Sequence, residues 1–288
     1  LLLHSCTRET LVAPMRNNPF DFDSELITED PLNLNIQNQP NYIQLNWEYL
    51  YETPVLDSFR LYRIDSTGLD TIYTGTQPQY HDTEVEWDAS YSYYVTAFIN
   101  QKETTPPEME NLAPVIRRIV VGTNGDYTSI QDAIDAMNEG TLYVKDSTYQ
   151  KISMSGKSIN LKCLSKTNDG CIIDAQNNGS AINIYNASSE MKISGFKIIN
   201  GNAPNGAGIS ISNSMVVIDS CEIHDNIAGE NGGGLHITGG DSNCLISNTS
   251  IHDNEATDGA GIYMMGETFN PLSVDMDNVT LQDNDANL

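Results

Sequence analysis

The chain has 288 residues, enough for two domains, and a formal net charge of −25 from 39 acidic and 14 basic residues. This charge argues against nucleic acid and anionic membranes as partners, because both need a basic surface. It is compatible with uncharged or cationic ligands and with calcium. No apolar run approaches the ~18 residues of a membrane span, and five irregularly spaced cysteines without a C-x-x-C pair predict neither a disulfide framework nor a zinc site.

The chain begins with LLLHSC, in which Leu3 stands three positions before Cys6 and Ser5 stands directly before it. This pattern resembles the end of a bacterial lipoprotein signal peptide, and the resemblance implies that Cys6 carries lipid. A chance match at the start of a fragment is the alternative. Residues 1–30 are therefore interpreted as a signal remnant followed by a polar, acidic tether.

Residues 31–105 contain short alternating apolar runs separated by turns, which is typical of a β-sandwich. In one run, NYIQLNWEYL, the side chains of Ile43, Leu45 and Trp47 share a face. The region resembles a fibronectin type III domain: Trp47 matches the core tryptophan of that family, RLYR its third strand, and YSYYVTAF its sixth. The resemblance implies a spacer or binding domain, and the proline-containing residues 106–116 predict a linker.

An amphipathic helix is predicted after the linker, with Thr128 and Gln131 as a capping box and Gly140 as its end. Its apolar residues recur at helical spacing: Ile130, Ala133, Ile134 and Met137. Residues 125–150 resemble the opening of right-handed parallel β-helix proteins of the pectin-lyase-like superfamily, and of pectin methylesterases in particular. The resemblance implies that the helix covers the N-terminal end of a solenoid.

The C-terminal part of the sequence repeats with steps of 25, 28 and 30 residues. Its short alternating runs, ending at Gly, Asn or Asp, predict three strands per repeat and a parallel β-helix over residues 117–288. Leucine-rich repeats would need a denser Leu and Asn pattern, and helical repeats would need longer amphipathic runs. We expect the following residues to stack in single files: Ile198, Ile223, Ile251 and Leu281; Ala203, Ala228, Ala256 and Ala286; Gly208, Gly234 and Gly261.

A second inward file is predicted two positions before the isoleucines, because alternate residues of a strand share a face. Cys221 belongs to this file, and Cys163 holds a similar position two residues after Leu161. Both are therefore predicted to be small core residues rather than reactive thiols. The members of the second file are Phe196, Cys221, Thr249 and Val279.

The motif HDN occurs twice and is followed by the variant QDN, so three further columns of equivalent residues are expected. Asn226, Asn254 and Asn284 are interpreted as a structural ladder at a turn, since Asn tolerates left-handed backbone and stacked amides bond to one another. His224 and His252 predict either a solvent-facing stack or a metal or catalytic column. Stacked carboxylates repel unless a cation or water separates them, so the aspartates of this phrase are calcium candidates: Asp225, Asp253 and Asp283.

Catalysis is the open question that the pectin-lyase-like resemblance raises. Lyases of that fold use calcium and a basic residue, but no Lys or Arg follows Lys197. The later motifs of pectin methylesterases are missing, with no Arg after Arg118, so no catalytic residue is predicted. The candidate bases, each more simply a solvated lysine, are Lys151, Lys157, Lys162, Lys166, Lys192 and Lys197.

The run GGGLHI together with HDN loosely resembles repetitive bacterial surface proteins, including polymorphic outer-membrane-type adhesins, over residues 198–288. We therefore expect a secreted or surface-attached protein that binds a polysaccharide or cell-surface glycan without catalysis. The alternatives are a polysaccharide lyase or glycoside hydrolase, and a structural spacer. Because Leu288 follows a repeat strand directly, we also expect the sequence to be a fragment to which further coils belong.

Overall fold

The computed structural model describes residues 32–49, 56–99, 101–104, 106–107, 112–165, 170–240, 242–266 and 272–286. The described residues form two compact units, one built mainly from residues 42–85 and 89–116 and one mainly from residues 117–288. Cys6 and the predicted tether lie outside the described residues. Among the residues described, no helix has the length and apolar character to cross a bilayer.

The first unit contains two β-sheets that share one apolar core. One sheet has the strand order β1-β2-β5 and the other β4-β3-β6-β7, with β8 paired to β6. Ile43, Leu45 and Trp47 are buried in the core as the alternation predicts. The strands are β1 (Asn35–Gln39), β2 (Tyr42–Asn46), β3 (Leu56–Asp65), β4 (Gly68–Gly75), β5 (Gln79–Asp82), β6 (Ser90–Ile99), β7 (Lys102–Glu103) and β8 (Val115–Ile116).

The second unit is a parallel β-helix of about six coils with three long sheets. Sheet A contains β9 (Ile119–Val121), β10 (Glu139–Val144), β13 (Ser158–Cys163), β16 (Met191–Ser194), β20 (Met215–Asp219), β24 (Asn243–Ser247) and β27 (Ser273–Asp277). Sheet B contains β11 (Ser147–Gln150), β14 (Cys171–Asp174), β17 (Phe196–Ile199), β21 (Glu222–His224), β25 (Ser250–His252) and β28 (Thr280–Gln282). Sheet C contains β12 (Ile152–Ser155), β15 (Ile182–Tyr185), β19 (Ile209–Ser212), β23 (Leu235–Thr238) and β26 (Ile262–Met265).

The predicted isoleucine file is confirmed by the register of sheet B. Ile198 pairs with Ile223, Ile223 with Ile251, and Ile251 with Leu281. The three isoleucines are fully buried, and Cys221 is buried in the same core as predicted. Short strands β18 (Asn202–Asn205) and β22 (Ile227–Asn231) lie between sheets B and C, and their turns pack a second small core: Ala203, Ala207, Ala228, Ala256 and Ala260.

The predicted helix is present as α1 (Ile130–Ala136), with Ile130, Ala133 and Ile134 buried in the solenoid core. Two details of the prediction are wrong. The N-cap is Ser129, whose hydroxyl accepts a hydrogen bond from the Asp132 backbone N–H, so Thr128 does not form a capping box. The helix ends at Ala136, because the backbone is already extended at Met137, and Gly140 lies inside β10.

A disulfide joins Cys163 to Cys171, whose Cα atoms lie 5.8 Å apart. Cys163 packs against the core but is only half-buried, so its prediction as a small core residue holds in part, and its bond to Cys171 was not predicted. Cys163 ends β13 and Cys171 begins β14, so the connection between sheets A and B brings them together. Cys221 and Cys244 are free and buried, and burial raises the pKa of the Cys221 thiol to about 11.

Candidate functional site

The asparagines of the repeated phrase form a buried column just after sheet B. The Asn226 side-chain amide donates to Asn254 Oδ1 at 2.9 Å, and the Asn254 amide donates to Asn284 Oδ1 at 2.9 Å. On the coil before, the Gly201 backbone N–H donates to Asn226 Oδ1. Asn226 and Asn254 are fully buried, so this ladder satisfies backbone groups at the turn and leaves the neighbouring residues to face solvent.

The residue in the left-handed backbone region is the aspartate, one position before each asparagine. Asp225, Asp253 and Asp283 have φ values of 55°, 52° and 50°. The prediction placed this turn conformation on the asparagines, which is wrong, because those amides are committed to the buried ladder. Asp tolerates the left-handed region better than most residues. The turn therefore presents each aspartate side chain outward, where Asp225 and Asp253 are exposed.

His224 and His252 pair in register on the outward face of sheet B. Their imidazole rings are parallel, with centroids 4.9 Å apart and 4° between the planes. In each coil the histidine Nδ1 lies 2.7 Å from Oδ2 of the following aspartate, Asp225 or Asp253. This pairing fixes the orientation of both rings, so the predicted solvent-facing stack is an ordered array of imidazole–carboxylate pairs.

Two further charged residues extend this array toward sheet A. His252 Nε2 lies 3.3 Å from a carboxylate oxygen of Glu222, and Lys197 Nζ lies 3.2 Å from the other. We call the whole set the histidine face. It consists of Lys197, Glu222, His224, Asp225, His252 and Asp253.

The contacts within the histidine face shift the pKa values of two of its side chains, His252 and Glu222. Burial alone would lower the pKa of His252, but hydrogen bonds to Asp253 and Glu222 outweigh it and raise that pKa. Burial alone would raise the pKa of Glu222, but Lys197 and His252 outweigh it and lower that pKa. Glu222 is therefore an ionised carboxylate that shares its charge between a lysine and an imidazole.

A groove of about 330 Å³ lies beside the histidine face, at the corner between sheets A and B. Its size falls in the range of small-molecule sites, and Lys197 and Glu222 belong to both the groove and the histidine face. We call it the corner groove. It is lined by Ser165, Gly170, Gly195, Phe196, Lys197, Ser220, Cys221, Glu222, Asn248 and Ser250. Hydroxyl, amide and charged groups therefore dominate its wall.

The calcium candidates do not converge on one point. Among the described residues, only Asp146, Cys163 and Cys171 bring three possible ligand atoms within 4.8 Å of one another, and those sulfurs form the disulfide. Calcium needs six to eight oxygen ligands. Asp225 and Asp253 instead contact the neighbouring histidines, so the imidazole rings are their partners in this structure. Calcium binding by Asp225, Asp253 and Asp283 stays a prediction.

The candidate bases that the structure describes all have neighbours of their own. Lys192 forms an ion pair with Asp219 at 2.9 Å, and Lys197 pairs with Glu222. Lys151 and Lys157 donate to backbone carbonyls, and Lys162 lies over the ring of Tyr143. Lys166 lies outside the described residues. A lysine held as a cation donor is a poor proton acceptor, so these contacts fit structural roles.

Sequence reasoning did not single out Glu222 or the corner groove. Glu222 stands two residues before His224, and alternation along a strand places both on the outward face. That spacing could have indicated that Glu222 lies beside the histidines. The corner groove could not be predicted from the sequence, because its shape depends on how the connections between sheets A and B fold.

A family model described as "Right handed beta helix region" matches residues 180–284, which agrees with the parallel register of the sheets. The right-handed β-helix is therefore shown for this part of the chain, and the description names no activity. A comparison with curated proteins finds no match.

Several solved structures are similar to the chain at low identity. A pectate lyase from Erwinia chrysanthemi is 13% identical, with 88% of this chain and 99% of that chain covered and a TM-score of 0.24. A pectate lyase from Pectobacterium carotovorum is 12% identical, with 88% and 91% covered and a TM-score of 0.25. A pectin methylesterase from Aspergillus niger is 12% identical, with 57% and 85% covered and a TM-score of 0.25. Scores this low carry no functional argument.

Proposed function

We propose that this protein binds a polysaccharide outside the cytoplasm, through the corner groove and the histidine face, without cleaving it. The observation that carries the proposal is the continuity of the two surfaces. Glu222 lines the groove and also contacts His252, so a polymer seated in the groove continues onto the stacked imidazoles.

The chemistry of the groove suits sugar hydroxyl groups. Ser220, Asn248 and Ser250 supply hydroxyl and amide groups that both donate and accept hydrogen bonds. On the adjoining histidine face, the pair His224 and Asp225 recurs as His252 and Asp253 on the next coil, at the strand spacing of ~4.8 Å. A surface with this repeat can contact several units of an extended polymer at once, which a single enclosed pocket cannot do.

Binding without catalysis is supported by the ion pairs that the lysines of these coils form. Lys192 and Lys197, the described lysines on these coils, are each paired with a carboxylate. A lyase would need one such group free to accept a proton from the sugar. No lysine or arginine follows Lys197 in the sequence to replace them.

An extracytoplasmic location is supported by the disulfide between Cys163 and Cys171, because such bonds form and persist in oxidising compartments. Lipidation of Cys6 would attach the protein to a membrane surface and remains part of this proposal. We also propose that residues 31–105 form a fibronectin type III-like spacer. The strand orders β1-β2-β5 and β4-β3-β6-β7 support that topology. Of the predicted linker over residues 106–116, Val115–Ile116 form β8 and pair with β6, so that part belongs to the first unit.

A variant that fills the groove tests the proposal. Ser250→Tyr places a large side chain in the groove wall, whereas Ser155→Tyr adds the same side chain at an exposed position in register with Tyr185. On a glycan array and in calorimetry with the captured glycans, Ser250→Tyr should weaken binding at least about tenfold, and Ser155→Tyr should leave it unchanged. Equal binding by both variants would contradict the groove as the site.

The same glycans distinguish the alternative functions. Incubation of the protein with each polymer, with and without calcium, should release neither unsaturated products nor new reducing ends. Release of either would show a polysaccharide lyase or glycoside hydrolase instead. The absence of both binding and turnover across the panel would favour a structural spacer.

A further inference from the structure

The surface proposed for glycan binding has an excess of negative charge. The histidine face contains three carboxylates, on Glu222, Asp225 and Asp253, against one ammonium group on Lys197. That ammonium is already 3.2 Å from Glu222. Among the described residues that line the corner groove, Lys197 is the only cation. A carboxylate on a ligand would therefore find no unpaired positive partner in the described part of this surface.

The charge does not change sign farther along the solenoid. Between Ile198 and Leu288 the sequence has 13 acidic residues and no lysine or arginine. On sheet B the coils beyond Lys197 present Ser250 and Thr280 in register with Glu222, and Gln282 in register with His252. A polymer lying along these coils meets neutral and acidic side chains, whose repulsion of an anionic polymer adds up over successive units.

The exposed carboxylates remain able to accept hydrogen bonds from hydroxyl groups. In Asp225 and Asp253 one oxygen contacts the histidine Nδ1, while the side chains are 60% and 56% exposed. An ionised carboxylate has about four acceptor sites, so the second oxygen can receive a sugar hydroxyl. The surface is therefore rich in acceptors and suits a ligand that brings many donors and no negative charge.

We propose that the corner groove and the histidine face select uncharged polysaccharides and reject polyuronates. This inference rests on the proposed polysaccharide binding and specifies its ligand class. The discrimination comes from charge alone, because the hydroxyl and amide groups of the groove would serve a neutral sugar and a uronate equally.

Polymer pairs that differ only in charge test this selectivity. Several polyuronates, polygalacturonate among them, would each be compared with the carboxyl-reduced neutral polymer of the same linkage, at pH 8 and low salt with a chelator present. The neutral member should bind at least about tenfold more tightly, and the difference should shrink as salt is added. Equal affinity within pairs, or tighter binding of the uronate with or without added calcium, would overturn the selectivity and leave polysaccharide binding intact. If no polymer of either kind binds, both proposals fail.

A matched pair of double variants separates this site from the overall charge of the protein. Asp225→Asn with Asp253→Asn removes two charges at the histidine face and keeps a residue that tolerates the left-handed turn. Asp275→Asn with Asp277→Asn removes two exposed charges from sheet A. Only the first should raise the affinity for polyuronate, by about threefold to tenfold. An equal gain in both would assign the discrimination to net charge and overturn the proposal.

Discussion

The imidazole rings of His224 and His252 lie parallel on adjacent coils, 4.9 Å between centroids. This separation equals the spacing of paired strands, so the solenoid turns any side chain repeated in register into a continuous column. The three residues of the repeated motif HDN therefore form three separate columns of side chains, each in a different environment. The histidines face outward, the aspartates occupy the left-handed turn, and the asparagines form the ladder, in which Asn226 and Asn254 are buried.

Removal of one rung of the asparagine ladder should destabilise the β-helix strongly. Asn254 donates to Ile223 O, His252 O and Asn284 Oδ1, and it accepts from Asn226. Asn254→Ala removes these hydrogen bonds from a buried column, which costs about 2–4 kcal/mol in the free energy of unfolding. Urea denaturation of the variant and the wild type measures the difference.

Asn278→Gly is the control, because Asn278 donates to Asn248 Oδ1 at 2.9 Å on the exposed surface and glycine accepts the left-handed backbone at this position, where φ is 54°. The loss there should stay below about 0.5 kcal/mol, since water replaces the bond. Equal losses at Asn254 and Asn278 would show that burial of the ladder does not matter.

The raised pKa of His252 predicts a pH-dependent contribution to stability. Because the folded-state pKa lies above that of the unfolded chain, the stabilisation is complete below the unfolded value of about 6.5 and is lost as pH rises through the folded value. The difference in unfolding free energy between wild type and His252→Gln should therefore be larger at pH 5 than at pH 8.

His236 provides a control of opposite sign, because burial lowers its pKa. The stability that His236 contributes is present above its unfolded pKa and is lost as pH falls. The difference in unfolding free energy between wild type and His236→Gln should therefore be smaller at pH 5 than at pH 8. The same pH trend in both variants would contradict the assigned contacts of His252.

The disulfide should stabilise the native state mainly by restricting the unfolded chain. With a separation of 8 residues between Cys163 and Cys171, the loop-entropy relation gives about 2.5 kcal/mol. The double variant Cys163→Ser with Cys171→Ser should lose this amount in guanidinium denaturation, and reductant should lower the wild type to the same level. No difference between reduced and oxidised wild type would mean that the bond is absent.

Helix α1 supplies partners to the edge of sheet C, and we propose that it caps the N-terminal end of the solenoid. The Gln131 side chain donates to Ser153 O and accepts from Ser153 N, as a neighbouring strand would. Gln131→Ala should lower the free energy of unfolding by about 1–2 kcal/mol. Gln150→Ala, at an exposed strand end, should have little effect, and equal effects would argue against the cap.

The repeating part of the fold was predictable because it depends on a periodic signal. Ile198, Ile223, Ile251 and Leu281 stand in one file since each strand buries alternate residues against the coil beneath. The same logic placed the histidines on a common outward column.

The parts that sequence could not give depend on the connections between strands. The pairing of Cys163 with Cys171 and the shape of the corner groove follow from how the chain turns between sheets A and B, which has no repeating pattern. The N-cap at Ser129 rather than Thr128 reflects a choice between adjacent hydroxyl residues that only tertiary packing decides.

The most direct test of glycan binding at this site is an NMR titration that follows the imidazole Cε1–H signals during addition of a bound neutral oligosaccharide. The signals of His224 and His252 should shift together and saturate with the affinity measured by calorimetry. The signals of His81 in the first unit and His236 on sheet C should stay in place. Shifts at His81 or His236 alone, or no shift at saturation, would contradict binding at the corner groove and the histidine face.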